Sequence, residues 1–259
     1  MEAKVEANLA KRALLAGRPA LGAPVTLGNP LAAETLARLG FDFVLVDMQH
    51  GCWSLDTAAA AMRGIVLGGS IPMARVQKND FFAIGSVLDR GAMGLVIPMV
   101  NNAAEAASAA FAARFPPRGG RSQGGAGTAF LRELGYERWI DAELFLAVQI
   151  ETKEGLEHAE EILSVDGVDG CWIGPADLAN SLGLDLALPA DRAKHEEAIM
   201  AILAVCKKCG KIPGIAGGLD AAKWIARGFQ FVTTAADLTL LALQGRAVLE
   251  QLRAAAAGH

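Results

Sequence analysis

Cysteine is scarce. Four residues (Cys52, Cys171, Cys206 and Cys209) are spread over 259 positions, too few for a disulfide framework in a chain this long. Cys206 and Cys209 form a C-x-x-C in "AVCKKCGK", but neither a second cysteine pair nor a histidine pair accompanies it, so a zinc site lacks half of its ligands. Free thiols near a helix end are expected instead. Positive charge is also lacking. The net charge is −4, no basic run occurs, and the few aromatics do not alternate with Lys or Arg, so nothing marks a nucleic-acid surface. No apolar run reaches the ~18 residues of a membrane span. The start, "MEAKVEANLAKRALLAG", reads as a short amphipathic helix over about 2–17 and not as a signal peptide. A cytoplasmic protein without membrane or nucleic-acid partners is the expectation. Aromatics make up only 6% of the chain while 53% of it is hydrophobic, with 29 glycines. Small apolar residues in that proportion suit close helix–sheet packing better than an all-β sandwich.

What the chain does contain is alternation. Short apolar runs fall at 19–27, 41–48, 71–77, 94–100, 145–151, 170–175, 212–217 and 229–236. Between them, the segments 31–39, 55–68, 81–90, 102–114, 153–163, 191–209 and 219–227 carry a 3.6-residue apolar rhythm, and a last helix is expected over about 238–257. Gly, Asp or Asn punctuates most joins, as helix ends and caps require. Eight strands alternating with eight helices over about 250 residues fit a single-domain α/β (β/α)8 barrel spanning 1–259. The rival is a doubly wound open sheet, which would show a G-x-G-x-x-G turn after its first strand; "LGNPLAAETLARLG" has none. A long stretch, "FPPRGGRSQGGAGTAFLRELGYERWIDAE" (115–143), reads as a loop. It could be a lid or could lie on the lower rim.

In such a barrel the active site is built at the carboxyl ends of the strands. Strand 2 ends in Asp47, Gln49 and His50; strand 3 carries Arg75, then Lys78 and Asp80; strand 5 ends in Gln149 and Glu151; strand 6 runs into "IGPADLANSLG" with Asp177. Strands 7 and 8 end blandly, in "GIAGG" and "TTAAD". An acid at a strand end is often only a helix cap, and Asp177 sits where a cap would. Glu is a poor cap, and Thr152 is the better one beside Glu151. Arg75 lies within an apolar strand, where a guanidinium needs a carboxylate or an anionic ligand. Asp89, beside Arg90, reads by composition as a solvated helix residue. Glu151 and Asp177 could share a hard divalent cation that keeps room for substrate oxygens. The N–H groups of "GPAD" open a helix and favour an anion. Together with Arg75 they describe a site for a small acid that develops negative charge on oxygen, with His50 able to move a proton.

The pieces "FDFVLVDMQHG", "IPMARV", "VLDRGAMGLVIPMVNNAAEA", "RFPPRGGRS", "AVQIET" and "VDGCWIGPADLANSLG" resemble the HpcH/HpaI family of metal-dependent 2-keto acid aldolases, the class II pyruvate aldolases, over about residues 8–250. The resemblance implies cleavage or formation of the C–C bond between a pyruvate-type enolate and an aldehyde. It implies Glu151 and Asp177 as ligands of Mg²⁺ or Mn²⁺, with Co²⁺, Ni²⁺ and Zn²⁺ as further candidates, and no organic cofactor. Arg75 would stabilise the enolate, and Gln149 would lie beside the keto acid. The backbone at Gly174, Pro175, Ala176 and Asp177 would hold the keto acid's carboxylate. His50 would pair with Asp89 across a subunit interface or within the chain, with Asp47 supporting that region. Arg121 and Ser122 would line the aldehyde side. Homo-oligomers are implied, hexamers built as trimers of dimers that exchange the C-terminal helix. The chain departs from the family where many members read Asp-Gly-Glu-His: here Asp47, Met48, Gln49 and His50 stand. Gln49 or Ser122 could hydrogen-bond the extra hydroxyl of hydroxypyruvate. Three rivals stay open: a class I aldolase using Lys78 or Lys153 as a Schiff base, a CoA-dependent lyase of the citrate lyase β-subunit kind, and a non-catalytic keto-acid-binding barrel.

Overall fold

The computed structural model describes residues 7–128 and 135–257. Eight parallel strands close into a barrel in sequence order: β1 (Ala20–Val25), β2 (Phe43–Asp47), β3 (Ile71–Arg75), β4 (Gly94–Ile97), β5 (Phe145–Ile150), β6 (Gly170–Ile173), β7 (Gly214–Gly218) and β8 (Phe231–Thr234). β8 pairs back onto β1 with Ala20 opposite Phe231, which closes the ring. The single-domain (β/α)8 barrel expected from the alternation is the fold.

Local side-chain chemistry starts several of the crossover helices. α1 (Leu9–Leu15) precedes the barrel, and the remainder of the helix expected over 2–17 lies largely outside the described residues. α2 (Pro30–Arg38) begins with proline at its first position, and the Asn29 side chain accepts from Leu31 N and Ala32 N. α3 (Leu55–Gly68) has a reciprocal capping box between Ser54 and Thr57 and stops at left-handed Gly69. α4 (Phe81–Leu88) is capped by Asp80, α5 (Ala103–Ala113) by Asn102 and α7 (Lys153–Glu157) by Thr152. Asp80 is therefore a cap.

The segment 115–143 is not one loop. It holds a 3-10 turn at Ala126–Thr128 and α6 (Tyr136–Glu143), which buries Tyr136 and Ile140. No side chain caps α6, since left-handed Gly135 stands at its N-cap, and so the usual start signal is missing from the sequence. Its described parts, 115–128 and 135–143, follow the C-terminal end of α5 and lie on the rim at the amino ends of the strands; 129–134 lie outside the described residues. The helix expected over 153–163 is two, α7 and α8 (Ala159–Leu163), and a further short helix, α9 (Pro175–Ser181), follows β6. α10 (Pro189–Lys208), α11 (Ala221–Ala226) and α12 (Asp237–Ala257) complete the chain.

Two apolar layers hold the barrel. Outside the strands, residues such as Val44, Val46, Leu95, Leu146 and Ile173 pack against the helices. Inside, Phe43 stacks on Phe231 at 4.6 Å, and Phe145 meets the same ring at 4.8 Å. Burying each ring stabilises the fold by roughly 2–3 kcal/mol. Gly22 makes room for them: a Cβ there would lie 2.1 Å from the Phe43 ring. The interior is filled from below by Phe rings, and its upper layer is polar.

Candidate active site

The polar layer starts with Asp47 and Arg75, which end β2 and β3 in direct register. Arg75 Nε donates to Asp47 Oδ1 at 2.9 Å, and its Nη2 bonds Asp47 Oδ2, a two-point contact that fixes the guanidinium plane. The same guanidinium lies 5.3 Å from the centre of the Trp172 ring. Asp47 also accepts from the backbone N–H groups of Gln49 at 3.1 Å and His50 at 3.2 Å, which shapes the turn after β2.

Across the mouth, Gln149 and Glu151 leave the end of β5. Glu151 is 2% exposed. Its Oε1 accepts from Met99 N at 3.0 Å, and its Oε2 from the Gln149 amide. Among the described residues no lysine or arginine forms an ion pair with it. Burial pushes its carboxyl up from an ordinary 4.5 to about 7; the Met99 N–H opposes that rise, nearby Asp177 adds to it, and Arg75 and Gln149 oppose it. Gln149 Oε1 is buried and has no hydrogen-bond partner.

Gly174 brings the next strand end against this acid. A Cβ at Gly174 would lie 2.6 Å from Glu151 Oε2 and 2.8 Å from Gln149 Nε2, so the α9 backbone passes directly over the pair. Gly174 is the N-cap and Pro175 the first residue of α9; Asp177 lies in its first turn, exposed and making no cap bond. The cap reading of Asp177 therefore gives way to a free carboxylate beside Glu151. His195 Nε2, on α10, lies 2.7 Å from Pro175 O and ties this turn down.

The remaining candidates lie in two groups. His50 is exposed at the rim, and Gln49 is half-buried with Oε1 unpartnered. Met48, one residue away, is buried in the outer core and faces the helices. Asp89 ends α4, close to the amino ends of the strands, where Arg121 Nη2 donates to its Oδ1 at 3.1 Å. Arg121 is held there by the rings of Phe115 at 4.6 Å and Tyr136 at 5.4 Å, and Ser122 lines the same outer groove. Within one chain Asp89 does not meet His50, and Arg121 and Ser122 do not line their own barrel mouth.

Met99, Trp172 and Thr233 escaped the sequence reading. Met99 adopts a left-handed φ of 56° after β4 and aims its N–H at Glu151. Trp172 and Thr233 face the barrel interior beneath the mouth. The threonine pair in "FVTT" was the signal available for β8, and its ending is less bland than its letters suggest.

Oxygen donors from a buried acid and a neighbouring exposed one fit a hard divalent cation. The fit is supported by the lack of a cationic partner for Glu151. Among the described residues no group of three or more His, Cys, Asp or Glu is placed to hold a metal, so substrate and water oxygens would complete the set. The cysteines are free thiols, with Cys171 and Cys206 Sγ atoms 3.2 Å apart in the core.

A barrel mouth that gathers two carboxylates, a fixed arginine and a buried amide has the groups that can stabilise negative charge developing on a small oxyacid. The sequence profile of one family, described as HpcH/HpaI aldolase/citrate lyase, matches residues 24–243, and the chain belongs to that family. It is a carbon–carbon lyase. It is 41% identical over 241 residues to a hydroxypyruvate/pyruvate aldolase from Rhizorhabdus wittichii, covering 92% of this chain and 96% of the relative. It is 41% identical over 246 residues to a 4-hydroxy-2-oxo-heptane-1,7-dioate aldolase from Salmonella typhimurium, covering 91% and 90%. A crystal structure of an HpcH/HpaI aldolase/citrate lyase family protein from Burkholderia cenocepacia superposes with a TM-score of 0.87 at 32% identity, covering 95% of this chain and 99% of that one.

Proposed function

We propose that the chain is a class II aldolase that joins or separates the enolate of a pyruvate-type 2-keto acid, pyruvate or hydroxypyruvate, and an aldehyde. The observation that carries this reading is the buried Glu151, without a cationic partner, beside Asp177 and facing a fixed Arg75. Glu151 and Asp177 hold the divalent cation, Mg²⁺ or Mn²⁺ before Co²⁺, Ni²⁺ or Zn²⁺. When bound, that cation supplies Lewis-acid polarisation of the keto acid's oxygens. The N–H groups of Ala176 and Asp177 receive the carboxylate, with Gly174 and Pro175 shaping the approach. Gln149 lies along the keto acid and excludes water. Arg75, held by Asp47 and Trp172, donates to the keto oxygen and stabilises the enolate as the C3 proton leaves. His50, exposed at the rim, accepts the C3 proton and returns it to the new alkoxide.

The Asp89–Arg121 pair and Ser122 act, in this reading, at the mouth of a second copy, where Asp89 meets His50. The homo-oligomer, a hexamer of three dimers, is supported by α12, which is exposed along nearly its whole length and presents Leu241, Val248, Leu249 and Leu252 to solvent. Free thiols accord with a reducing compartment, the cytoplasm. No described helix is long and apolar enough to cross a membrane. Lys78 and Lys153 are largely exposed beside Asp80 and Glu157, the reverse of the desolvated pocket that a Schiff-base lysine needs.

The test is aldol turnover of pyruvate and of hydroxypyruvate with a set of aldehydes, with and without a chelator. Loss of turnover on chelation and recovery with Mg²⁺ or Mn²⁺ are expected. Turnover that survives chelation, together with a borohydride-trapped adduct, overturns the metal reading. Keto-acid binding by a wild-type protein that never turns over points to the non-catalytic barrel.

A further inference from the structure

Asp177 stands on a turn that packing does not hold. Pro175 is half-buried and Ala176 and Asp177 are exposed, whereas Leu178 and Ala179 seat the next turn of α9 in the core. No side chain caps the helix. Its far end is tied to the segment that carries the other acid: Lys153 N, just beyond Glu151 and Thr152, donates to Ser181 Oγ at 2.8 Å. Its near end receives one side-chain hydrogen bond among the described residues, from His195 Nε2 to Pro175 O at 2.7 Å. A carbonyl oxygen only accepts, so Nε2 carries the hydrogen in either charge state of the ring.

The helix that delivers this imidazole is not packed where it does so. α10 buries Ile199, Ile202, Leu203 and Cys206, all in its second half. Its first half, 189–198, holds no buried residue, and His195 is half-buried. Glu196, the next residue, pairs with Lys223 at 2.7 Å and Arg227 at 2.6 Å, which braces this part of α10 against α11. Apolar packing therefore does not account for the place of the imidazole. α10 reaches the mouth with a single donor.

Resting on the aldolase reading above, in which Asp177 is a cation ligand, we infer that His195 is a positioning residue. Its hydrogen bond to Pro175 O sets the first turn of α9, and with it the separation of the Asp177 and Glu151 carboxylates. With Ser181 tied to Lys153 at the far end, the bond from His195 keeps the near end from swinging away from β5. His195 touches neither the cation nor the keto acid. It acts on the binding of both, because one turn carries Asp177 and the N–H groups that receive the carboxylate.

The test compares the wild type with His195→Leu, His195→Asn and His195→Gln. Leu removes the donor, Asn keeps a donor too short to reach, and Gln places an amide N–H at comparable reach. Mn²⁺ affinity is measured by calorimetry without keto acid, at a temperature where circular dichroism shows each protein fully folded. A purely structural role leaves that affinity unmoved. The kcat and KM for pyruvate are measured at saturating Mn²⁺ with glycolaldehyde as acceptor. His195→Leu and His195→Asn should each weaken Mn²⁺ binding about fivefold, one net hydrogen bond's effect, and raise the KM by a similar factor, with a smaller fall in kcat. His195→Gln should recover most of both losses. If Leu does not fold, the Asn and Gln variants still decide. Mn²⁺ affinity and KM unmoved in the folded variants, or no recovery with Gln, overturn the inference. So does a fall in kcat with affinity and KM unchanged, which would place His195 in the chemistry itself. A wild type that binds no divalent cation, or never turns over, overturns the aldolase reading, an outcome distinct from an active, Mn²⁺-binding wild type whose His195 variants match it.

Discussion

The two ends of the barrel bury charge in opposite ways. At the base, α1 closes the strands' amino ends: Asn8 Nδ2 donates to Met93 O at 2.8 Å and Lys11 Nζ to Leu144 O at 2.7 Å. Lys11 is 8% exposed and Arg114 3%, and both reach Asp169, at 3.1 Å and 3.3 Å. Burial lowers the pKa of each cation, and Asp169 opposes that shift in both. The chain supplies its own counter-charge there. At the mouth, Glu151 is as deeply buried and receives only an amide and a backbone N–H. The contrast sets buried cations that the chain compensates itself against a buried acid that it leaves without a cation; an uncompensated buried ion marks a candidate site, while compensation alone does not make an ion structural, as the Asp47-paired Arg75 of the mouth illustrates.

Breaking the base should have the largest effect on stability. Asp169→Ala leaves Lys11 and Arg114 without their carboxylate and should cost about 3–5 kcal/mol in urea unfolding, while the folded fraction keeps its kcat. The mirror experiment at the mouth is Arg75→Met. It should lower kcat by about 10²–10³-fold through loss of a donor to the developing oxyanion, with divalent-cation binding retained in calorimetry. If Arg75→Met destabilised the chain as much as Asp169→Ala and spared kcat, the Asp47–Arg75 pair would be structural and the contrast would fail.

The unpaired acid makes a pH signature. Below pH 4.5 Glu151 is neutral in both the folded and unfolded chain and costs nothing. Between 4.5 and about 7 the folded chain holds the proton more tightly, so stability falls as pH rises, and above about 7 the full penalty is present. A shift from 4.5 to about 7 corresponds to about 3 kcal/mol. Metal-free protein should therefore lose about that much stability between pH 4.5 and 7.5, measured by denaturant unfolding. Glu151→Gln should flatten the slope, as should saturating Mg²⁺ or Mn²⁺. A slope unchanged in Glu151→Gln would place its origin elsewhere.

Much of this contrast could be read from the chain alone. Eight apolar runs of strand length separated by capped helical rhythms leave few alternatives to the barrel, because period and punctuation are local properties. Arg75, Glu151, Gln149 and Asp177 were legible because polar residues at the ends of apolar strands violate the local pattern. What stayed hidden depends on contacts distant in sequence. Asp89 looked like a solvated helix residue, yet it pairs with Arg121, which lies 32 residues away. Met48 stands where the chain departs from the family pattern, but the turn after β2 rotates it into the outer core. Thr233 drew no notice in an apolar strand, since only the closed barrel shows which face of β8 turns inward. Met99 carries no signal at all, because its role belongs to its backbone.

Met99 offers the smallest and sharpest test of the contrast. Its φ of 56° is costly for a residue with a Cβ, and the residue is 49% exposed, so packing explains little of its presence. Asn101 Nδ2 donates to Met99 O at 3.1 Å and helps to hold the strained turn, which presents the N–H to Glu151. Glycine adopts this conformation freely, so Met99→Gly should raise the stability of the metal-free protein by about 0.5–1 kcal/mol, the relief of left-handed strain less glycine's greater unfolded entropy. The same freedom loosens the aim of the N–H, so divalent-cation affinity should fall two- to fivefold, about 0.5–1 kcal/mol. Opposite signs for stability and affinity are what a mouth that keeps strain for function predicts. Changes of the same sign would make Met99 an ordinary part of the scaffold, no different in kind from the residues that seal the base.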